Sequence, residues 1–279
     1  MQAHLARKMK TGTISAILLV VTIVTIAPLI WMLLASFKTP AQIFSSPLVV
    51  LPPSLYLDNY KAILLGSESR LPFLWNSLVI SLLSTALVMC IAAPAAFGFA
   101  KLNVRHSDRY ELWILSTRMM PPIAALIPIS MIIRQLGMFD TKTGIILVYC
   151  AFNLPYAVWM LTIFLRQLPR EMDEAAMLDG CSWRKIFLRI SLPLIIPTFF
   201  TVAIFVFLFS WNEMLGALIL SGRRAKTLPV AITEYAGGIF IRWELMSAAA
   251  VLQIIPAVFV VILFNKYIVS GLTMGSVKG

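Results

Sequence analysis

A polar stretch between two apolar segments carries the residues whose types and spacing suggest chemistry. Glu174-Ala175-Ala176 is followed after three residues by Gly180, and after nine more by the segment Ile190-Ser191-Leu192-Pro193. Pro169 and several acidic residues stand at the start of a predicted short helix, where the positive end of the helix dipole favours negative charge. A carboxylate displayed there can pair with a basic side chain of another protein. The stretch therefore predicts a shaped, charged docking surface on one aqueous side.

Two short helices should build this surface. The first should run from about Pro169 to Leu178, and Gly180 should permit a sharp turn because glycine readily takes a positive φ. Ser182 is a suitable N-cap for the second helix, and Pro193 is expected to end it before the next apolar segment. An alternative is an amphipathic loop that lies at the lipid headgroups and binds no partner.

The composition is that of an integral membrane protein, since 60% of the residues are hydrophobic and only 13% are charged. The intervals between charged residues hold at least the ~20 apolar residues that a helix needs to cross a ~30 Å hydrocarbon core. The runs are continuously apolar, whereas the strands of a membrane barrel alternate. We therefore predict an all-α, polytopic protein with one transmembrane domain, residues 1–279. Its six helices should lie near 13–37, 72–99, 112–134, 143–165, 195–221 and 246–268.

The distribution of Lys and Arg predicts the orientation. Thirteen of these residues fall on the side of the termini and nine on the other side. By the positive-inside rule, both termini and the Glu174 loop should be cytoplasmic, and 38–71 and 221–245 should be periplasmic loops of an inner-membrane protein. The net charge of +11 is spread over loops on both faces, which favours contact with membrane lipids over nucleic acid.

The sequence lacks the motifs of an enzyme or a metal protein. Cys90, Cys150 and Cys181 form no CxxC pair, and His4 and His106 stand apart from one another. No glycine-rich phosphate-binding loop and no H-E-x-x-H motif occurs. We therefore predict no catalytic residue, no metal site and no cofactor in this chain.

The pattern Glu-Ala-Ala-x3-Gly-x9-Ile-x-Leu-Pro resembles the coupling-loop signature of the permease subunits of binding-protein-dependent ABC importers. Trp211-Asn212-Glu213 and the tail 271–279 look like those of the maltose-type sugar permeases. The resemblance implies an ABC importer permease fold with its core at 72–270, the first helix as an addition and a coupling loop at 166–194. The residues implied to couple to the ATPase are Glu174, Ala175, Ala176, Asp179, Gly180, Leu192 and Pro193.

The same resemblance implies partners and a substrate class. It implies a heterodimer with a homologous second permease, two copies of a cytoplasmic ATPase that binds ATP and Mg, and a periplasmic or lipid-anchored solute-binding protein. The imported solute would be a carbohydrate, either a sugar, an oligosaccharide or a polyol.

Polar residues inside the predicted spans are candidates for the substrate pathway, because hydrocarbon makes each of them costly. Amides and carboxylates can bond sugar hydroxyls, and Trp or Tyr rings can cover the apolar faces of a pyranose. The alternative is that the amides only join helices, at ~0.6 kcal/mol per contact. The candidates are Asn76, Asn153, Tyr156, Trp211, Asn212, Glu213 and Gln253.

Arg118 is the single charge in the apolar segment from Leu112 to Ile133 of the third span. Snorkelling to the headgroups or a salt bridge within the bundle is favoured over substrate contact, although an anionic or sulfonated sugar would favour contact. Beside it, Pro121, Pro122 and Pro128 should kink or break the helix.

Three other interpretations remain open at this point. An ion-coupled secondary transporter would need acidic coupling residues in its spans, and Glu213 is the only one. A non-transporting membrane scaffold would not need so many prolines and amides at one depth. An ABC permease for a non-sugar solute or an anionic sugar would share the coupling loop.

Overall fold

All regular structure in the described residues is helical. The computed structural model describes residues 2–66, 69–102, 104–238 and 240–273, with side chains from Ile14 to Tyr267, so residues 274–279 of the predicted tail 271–279 lie outside it. The helices are α1 Gln2–Ala35, α2 Pro40–Ile43, α3 Asp58–Leu64, α4 Leu71–Lys101, α5 Ser107–Ser116, α6 Pro122–Gln135, α7 Lys142–Gln167, α8 Arg170–Leu178, α9 Trp183–Ile186, α10 Leu192–Leu194, α11 Ile196–Asn212, α12 Leu215–Leu220, α13 Leu228–Thr233 and α14 Trp243–Thr273.

Four described helices are long and apolar enough to cross a membrane unbroken: Ile14–Ala35, Leu71–Lys101, Lys142–Gln167 and Trp243–Tyr267. Two further pairs of helices qualify together but are sharply bent, so the described residues hold six spans if each pair counts as one. The predicted all-α membrane fold is confirmed, and its six spans match this upper count.

The chain forms two compact units. The first comprises residues 1–70 and 232–254. Within it, Ile63 and Tyr235 pack with Leu245 near the start of α14, and Arg70 forms an ion pair with Glu234 at 2.9 Å. From Ile14 to Leu33 the α1 side chains are almost all exposed, as expected of a helix whose surroundings are lipid or another membrane protein.

The second unit comprises residues 71–231 and 255–279, and its core is built by α4, α7 and α11. Ala92, Ala96 and Ala100 recur every four residues along α4 and are buried in the same cluster as Leu161 and Leu165 of α7. Small residues at this spacing let two helix backbones approach closely, which is how helices pack where lipid removes the hydrophobic drive. The long α4–α7 pair is therefore the frame on which the other elements of this unit are placed.

The third predicted span is broken rather than merely kinked. A 3₁₀ turn, Thr117–Met119, extends α5, and α6 begins at Pro122 after a bend of 92°. Pro121 has an extended conformation, with φ −54° and ψ 122°. The break follows from the two prolines, because neither can donate to the helical ladder and the first restricts the residue before it.

The fifth span differs from the prediction at both ends. Pro193 does not end the preceding helix, since it lies in the first turn of α10, where its missing N–H costs nothing, and the 79° bend follows at Ile195. The helix predicted to continue to residue 221 stops at Asn212. Glu213 is extended there, and its carboxylate accepts the N–H of Gly216 at 3.0 Å, which starts α12.

Asp140 joins two loops of the second unit through its carboxylate. The two oxygens accept four consecutive backbone N–H groups, those of Gly222, Arg223, Arg224 and Ala225, at 2.7 to 3.2 Å. Burial alone would raise the pKa of Asp140, but the four donors together lower it below its ordinary value. The charged form of Asp140 is therefore the form that stabilises this connection.

The Asp140→Asn variant should be less stable than the wild type at pH 7 by about 2 kcal/mol, because an amide accepts these bonds weakly and brings its own donors toward them. A carboxyl group whose pKa is lower in the folded than in the unfolded protein stabilises the fold at pH values above its unfolded-state pKa. That stabilisation is lost as the pH falls through the folded-state pKa. The difference in stability between the wild type and Asp140→Asn should therefore shrink below about pH 4. Thermal unfolding in detergent between pH 3 and pH 7 measures it. Asp58→Asn, at an exposed ion pair with Lys61, is the control. A difference that is constant with pH would contradict the assignment.

Candidate functional site

The predicted docking surface lies on α8. Asp173 and Ala176 face the interior, whereas Glu174, Ala175 and Asp179 are exposed. The helix thus has one face fixed to the protein and one acidic face free. The prediction of a helix from about Pro169 to Leu178 is confirmed to within one residue.

The turn after α8 has a defined geometry that depends on Gly180. Its φ is +76°, and the N–H groups of Gly180 and Cys181 donate to the carbonyls of Met177 and Ala176 at 3.0 and 2.9 Å. These two bonds form a Schellman motif, which needs a left-handed residue at this position. The predicted role of Gly180 as a turn is confirmed.

The second half of the loop packs on the end of α4. Phe97 contacts both Phe187 and Trp183, with ring centroids 5.1 and 6.2 Å apart, and Ile186 is fully buried. Ser182 stands at the predicted N-cap but makes no side-chain capping bond. Residues 187–191 form a π-helical turn.

Leu192, at the predicted end of the coupling signature, packs against the main buried cluster, whereas Pro193 is exposed.

A buried ion pair attaches α8 to α4. Lys101 Nζ lies 2.8 Å from Asp173 Oδ2, and the two side chains are only 2% and 7% exposed. The same ammonium donates to the carbonyl of Leu168 at 2.8 Å, at the entry to α8. Because the ion pair is shielded from water, it fixes the position of α8 far more strongly than a surface pair would. No local pattern in the sequence indicates that Lys101 pairs with Asp173.

Lys101, Asp173 and Glu174 also line a cleft of about 350 Å³ together with Trp183. Glu174 therefore stands at the rim of a concave surface, one residue from the buried acid.

A second ionic contact, from Arg166 to Asp108 and Glu111, links α7 to α5.

A second candidate region is a cavity of about 460 Å³ within the second unit, beside the break after α5. Its polar lining includes Arg118, Asn153 and Glu213, and its aromatic lining includes Tyr149 and Phe209. Tyr149 donates its hydroxyl to the backbone carbonyl of Glu213 at 3.0 Å, which holds the extended residue in place. We call this region the Arg118 cavity.

Two of the predicted pathway residues, Asn153 and Glu213, therefore meet in the Arg118 cavity. Tyr156 borders it, because its ring lies 5.3 Å from Phe209 and 5.2 Å from the guanidinium of Arg118. The Asn153 amide donates to Ser210 at 3.1 Å, which orients it.

Three other predicted pathway residues have structural contacts instead. The Asn76 amide donates to the carbonyls of Arg224 and Lys226 at 2.8 and 2.9 Å. Trp211 is 1% exposed and stacks on Phe207. Asn212 is exposed, and its amide donates to its own helix at Leu208. Gln253 belongs to the first unit and is half-buried in α14.

Several residues of the cavity escaped the sequence analysis. Tyr149, Phe152 and Phe209 look like ordinary apolar positions of a membrane helix, so no local signal distinguishes them. For Arg118 the sequence favours snorkelling or an internal salt bridge. In the structure its guanidinium lies over aromatic rings instead.

Comparison with known proteins identifies the family. The model of the binding-protein-dependent transport system inner membrane component matches residues 6–274. The chain is 36% identical to the sulfoquinovosyl glycerol transport system permease protein SmoH of Agrobacterium fabrum, over 90% of this chain and 88% of the relative. It is also 36% identical to the trehalose/maltose transport system permease protein MalG of Thermococcus litoralis, over 95% of each.

A solved bacterial ABC transporter involved in import of the acidic polysaccharide alginate shares the fold. Its matching chain has a TM-score of 0.75 and 21% identity, over 92% of this chain and 95% of that one. The chain described here therefore belongs to the family of inner-membrane components of binding-protein-dependent transport systems. It is a multi-pass inner-membrane permease with the ABC importer permease fold.

The Lys101–Asp173 pair predicts a non-additive pattern of stability. Asp173→Leu alone should destabilise the protein by about 3–5 kcal/mol, because it leaves the Lys101 ammonium buried without a counter-ion. The double variant Lys101→Met, Asp173→Leu should recover most of that loss, since an apolar pair of similar volume often replaces a buried ion pair at little cost. Thermal stability and folded yield in detergent measure both variants.

The exposed acid Asp108 provides the control for this experiment. Its ion pair with Arg166 is largely in solvent, so Asp108→Ala should cost less than about 1 kcal/mol. If Asp173→Leu is as stable as the double variant, the pair does not anchor α8.

Proposed function

We propose that this chain is the permease subunit that carries a carbohydrate into the cytoplasm in an ABC importer, with ATP hydrolysed in a separate subunit. The observation that carries the proposal is the exposed acidic face of α8, held on the core by the buried Lys101–Asp173 pair in a chain of this family. The relatives named for sulfoquinovosyl glycerol and for trehalose and maltose support a carbohydrate as the solute.

Coupling would act through the loop 166–194. Glu174, Ala175, Asp179 and Gly180 are exposed and so can meet an ATPase directly, whereas the buried Ala176 supports the helix from within. An ATPase that pulls on this face moves α8. Since Lys101 joins α8 to the end of α4, the displacement passes into a membrane-spanning helix.

The assembly proposed is a heterodimer with a homologous second permease, two copies of an ATPase that holds ATP and Mg, and a solute-binding protein outside. Both termini and α8 would face the cytoplasm, where Lys and Arg are more numerous by the count given above. The family description names dependence on a binding protein, which supports that partner.

The substrate pathway would run past the Arg118 cavity. Asn153 and Glu213 line it, and Tyr156 and Phe209 give aromatic surface at its edge. Amide and carboxylate groups next to aromatic rings suit a sugar, which presents hydroxyl edges and apolar faces. Asn76, Trp211 and Asn212 would support the surrounding helices through the contacts described above.

Glu174→Ala should abolish carbohydrate uptake while the protein still inserts and folds. If the carboxylate is buried against a basic residue of the ATPase on docking, its loss weakens docking by about 2–5 kcal/mol. Asp108→Ala removes an exposed acid outside α8 and should leave uptake intact. Uptake into proteoliposomes and retention of the ATPase on purification are the measurements.

Gly180→Pro tests the docking surface on α8 by changing the backbone of the turn that follows this helix. Proline fixes φ near −65°, so it cannot adopt the +76° of this turn, and the exposed end of α8 should be displaced. We expect the ATPase to be lost from the purified complex. Normal uptake by both Glu174→Ala and Gly180→Pro would refute the proposed docking surface.

A further inference from the structure

Arg118 is a cation within a membrane-spanning segment, in the 3₁₀ turn that precedes the break between α5 and α6. An ionised side chain at such a position is costly, so it requires a compensating contact or a function. The nature of its contacts therefore decides between a structural and a binding role.

The guanidinium lies over two aromatic rings. Its central carbon is 4.8 Å from the ring centre of Phe209 and 5.2 Å from that of Tyr156. One nitrogen reaches the carbonyl of Phe152 at 3.5 Å, which is the long limit of a hydrogen bond. A guanidinium has five N–H donors, so this contact leaves most of its capacity unused.

The contacts of Arg118 favour a binding role over the two structural interpretations. A snorkelling arginine directs its head away from the bundle, whereas the guanidinium of Arg118 lies against two aromatic rings and lines the Arg118 cavity. Among the residues that the structure describes, no carboxylate lies within ion-pair distance of it. The cation is held in place by the rings, but its charge is not neutralised by a carboxylate.

Glu213 lines the same cavity, and its carboxylate also accepts backbone hydrogen bonds. Its oxygens accept the N–H groups of Gly216 at 3.0 Å and of Ala217 at 3.4 Å. These donors form the start of α12 and offset part of the negative charge, while acceptor sites remain for a sugar hydroxyl. The cavity therefore presents a cation with no carboxylate partner among the described residues, and an anion whose charge is partly offset by backbone donors.

We propose that Arg118 binds the anionic group of an acidic carbohydrate, a sulfonate or a carboxylate, as the sugar passes the Arg118 cavity. A planar guanidinium suits such groups because it can bond two oxygens at once. Asn153 lies in the same lining and is placed to bond a hydroxyl of the same sugar. This inference rests on the proposed function and adds the charge of the substrate to it.

Sequence similarity alone does not decide the charge of the solute. The two relatives at 36% identity are named for a sulfonated glycoside and for the neutral sugars trehalose and maltose. Sequence identity does not distinguish an acidic from a neutral solute, whereas the environment of Arg118 indicates an acidic one.

The experiment uses the complete importer with its partner subunits in proteoliposomes. Uptake of three probes is compared: sulfoquinovosyl glycerol, a glucuronate-containing disaccharide, and the neutral sugar trehalose. The variants are Arg118→Gln, which removes the charge, and Arg118→Lys, which keeps it without the planar fork. Arg134→Gln is the matched control, because Arg134 also lies over an aromatic ring, that of Phe139 at 3.7 Å, but does not line the Arg118 cavity. All rates are normalised to assembled complex.

We expect Arg118→Gln to reduce uptake of the acidic probe that the wild type accepts by at least about tenfold, with partial recovery in Arg118→Lys. The ATPase activity stimulated by the binding protein should persist, and Arg134→Gln should behave as wild type. The relative effect on the two acidic probes distinguishes a sulfonate from a carboxylate as the group bound.

Three results would overturn the inference. The first is unchanged acidic uptake in Arg118→Gln, and the second is an equal loss of acidic and neutral uptake, which would indicate a structural role. The third is a wild-type complex that imports only trehalose, which would leave the proposed function standing. A wild-type complex that couples ATP hydrolysis to no carbohydrate would overturn the proposed function, and the inference with it.

Discussion

The buried ion pair between Lys101 and Asp173 is the interaction on which the position of α8 in the second unit depends. A single ammonium bonds both the acid of α8 and the carbonyl of Leu168, so it fixes the start of that helix in position and direction. The exposed carboxylate of Glu174 follows directly after the buried one. The protein thus uses adjacent acids for opposite purposes, one to attach the helix and one to present charge. Removing either partner would leave a buried charge without water or a counter-ion. The pair therefore holds α8 against the end of α4.

The α4 helix, which carries Lys101, is connected to the helices that line the Arg118 cavity. The α4 and α7 helices pack along each other, and a polar contact inside the bundle connects them to α11. Ser84 donates to Ser210 at 3.1 Å, and Asn153 donates to the same hydroxyl at 3.1 Å. Each such bond between membrane helices contributes only ~0.6 kcal/mol on average, so this contact sets relative position more than it stabilises the fold. Because Asn153 of α7 and Phe209 of α11 both line the Arg118 cavity, a shift of α7 relative to α11 would alter the cavity directly.

The sequence predicted the elements whose cause is local. The number and type of spans follow from apolar length, the helix at α8 from its proline and acids, and the turn at Gly180 from the conformational freedom of glycine. It failed where a distant partner decides the local conformation. The end of α11 at Asn212 depends on Glu213 turning its carboxylate to α12 while Tyr149 of α7 holds the carbonyl. Asn76 is a pathway candidate because an amide in a span is costly, and the two loop carbonyls that its amide bonds could not be read from the sequence.

The two bends occur beside the two candidate regions, and this placement has a physical reason. A continuous helix satisfies its own backbone groups and therefore presents only side chains to its surroundings. At the break before α6 the backbone turns by 92°, which lets Arg118 lie against α7 and α11 rather than along its own helix. At Ile195 the turn of 79° separates the packing of Phe187 on Phe97 from the helix that carries Phe209. The proline positions thus set where this membrane bundle can form a surface for a partner and a cavity for a solute.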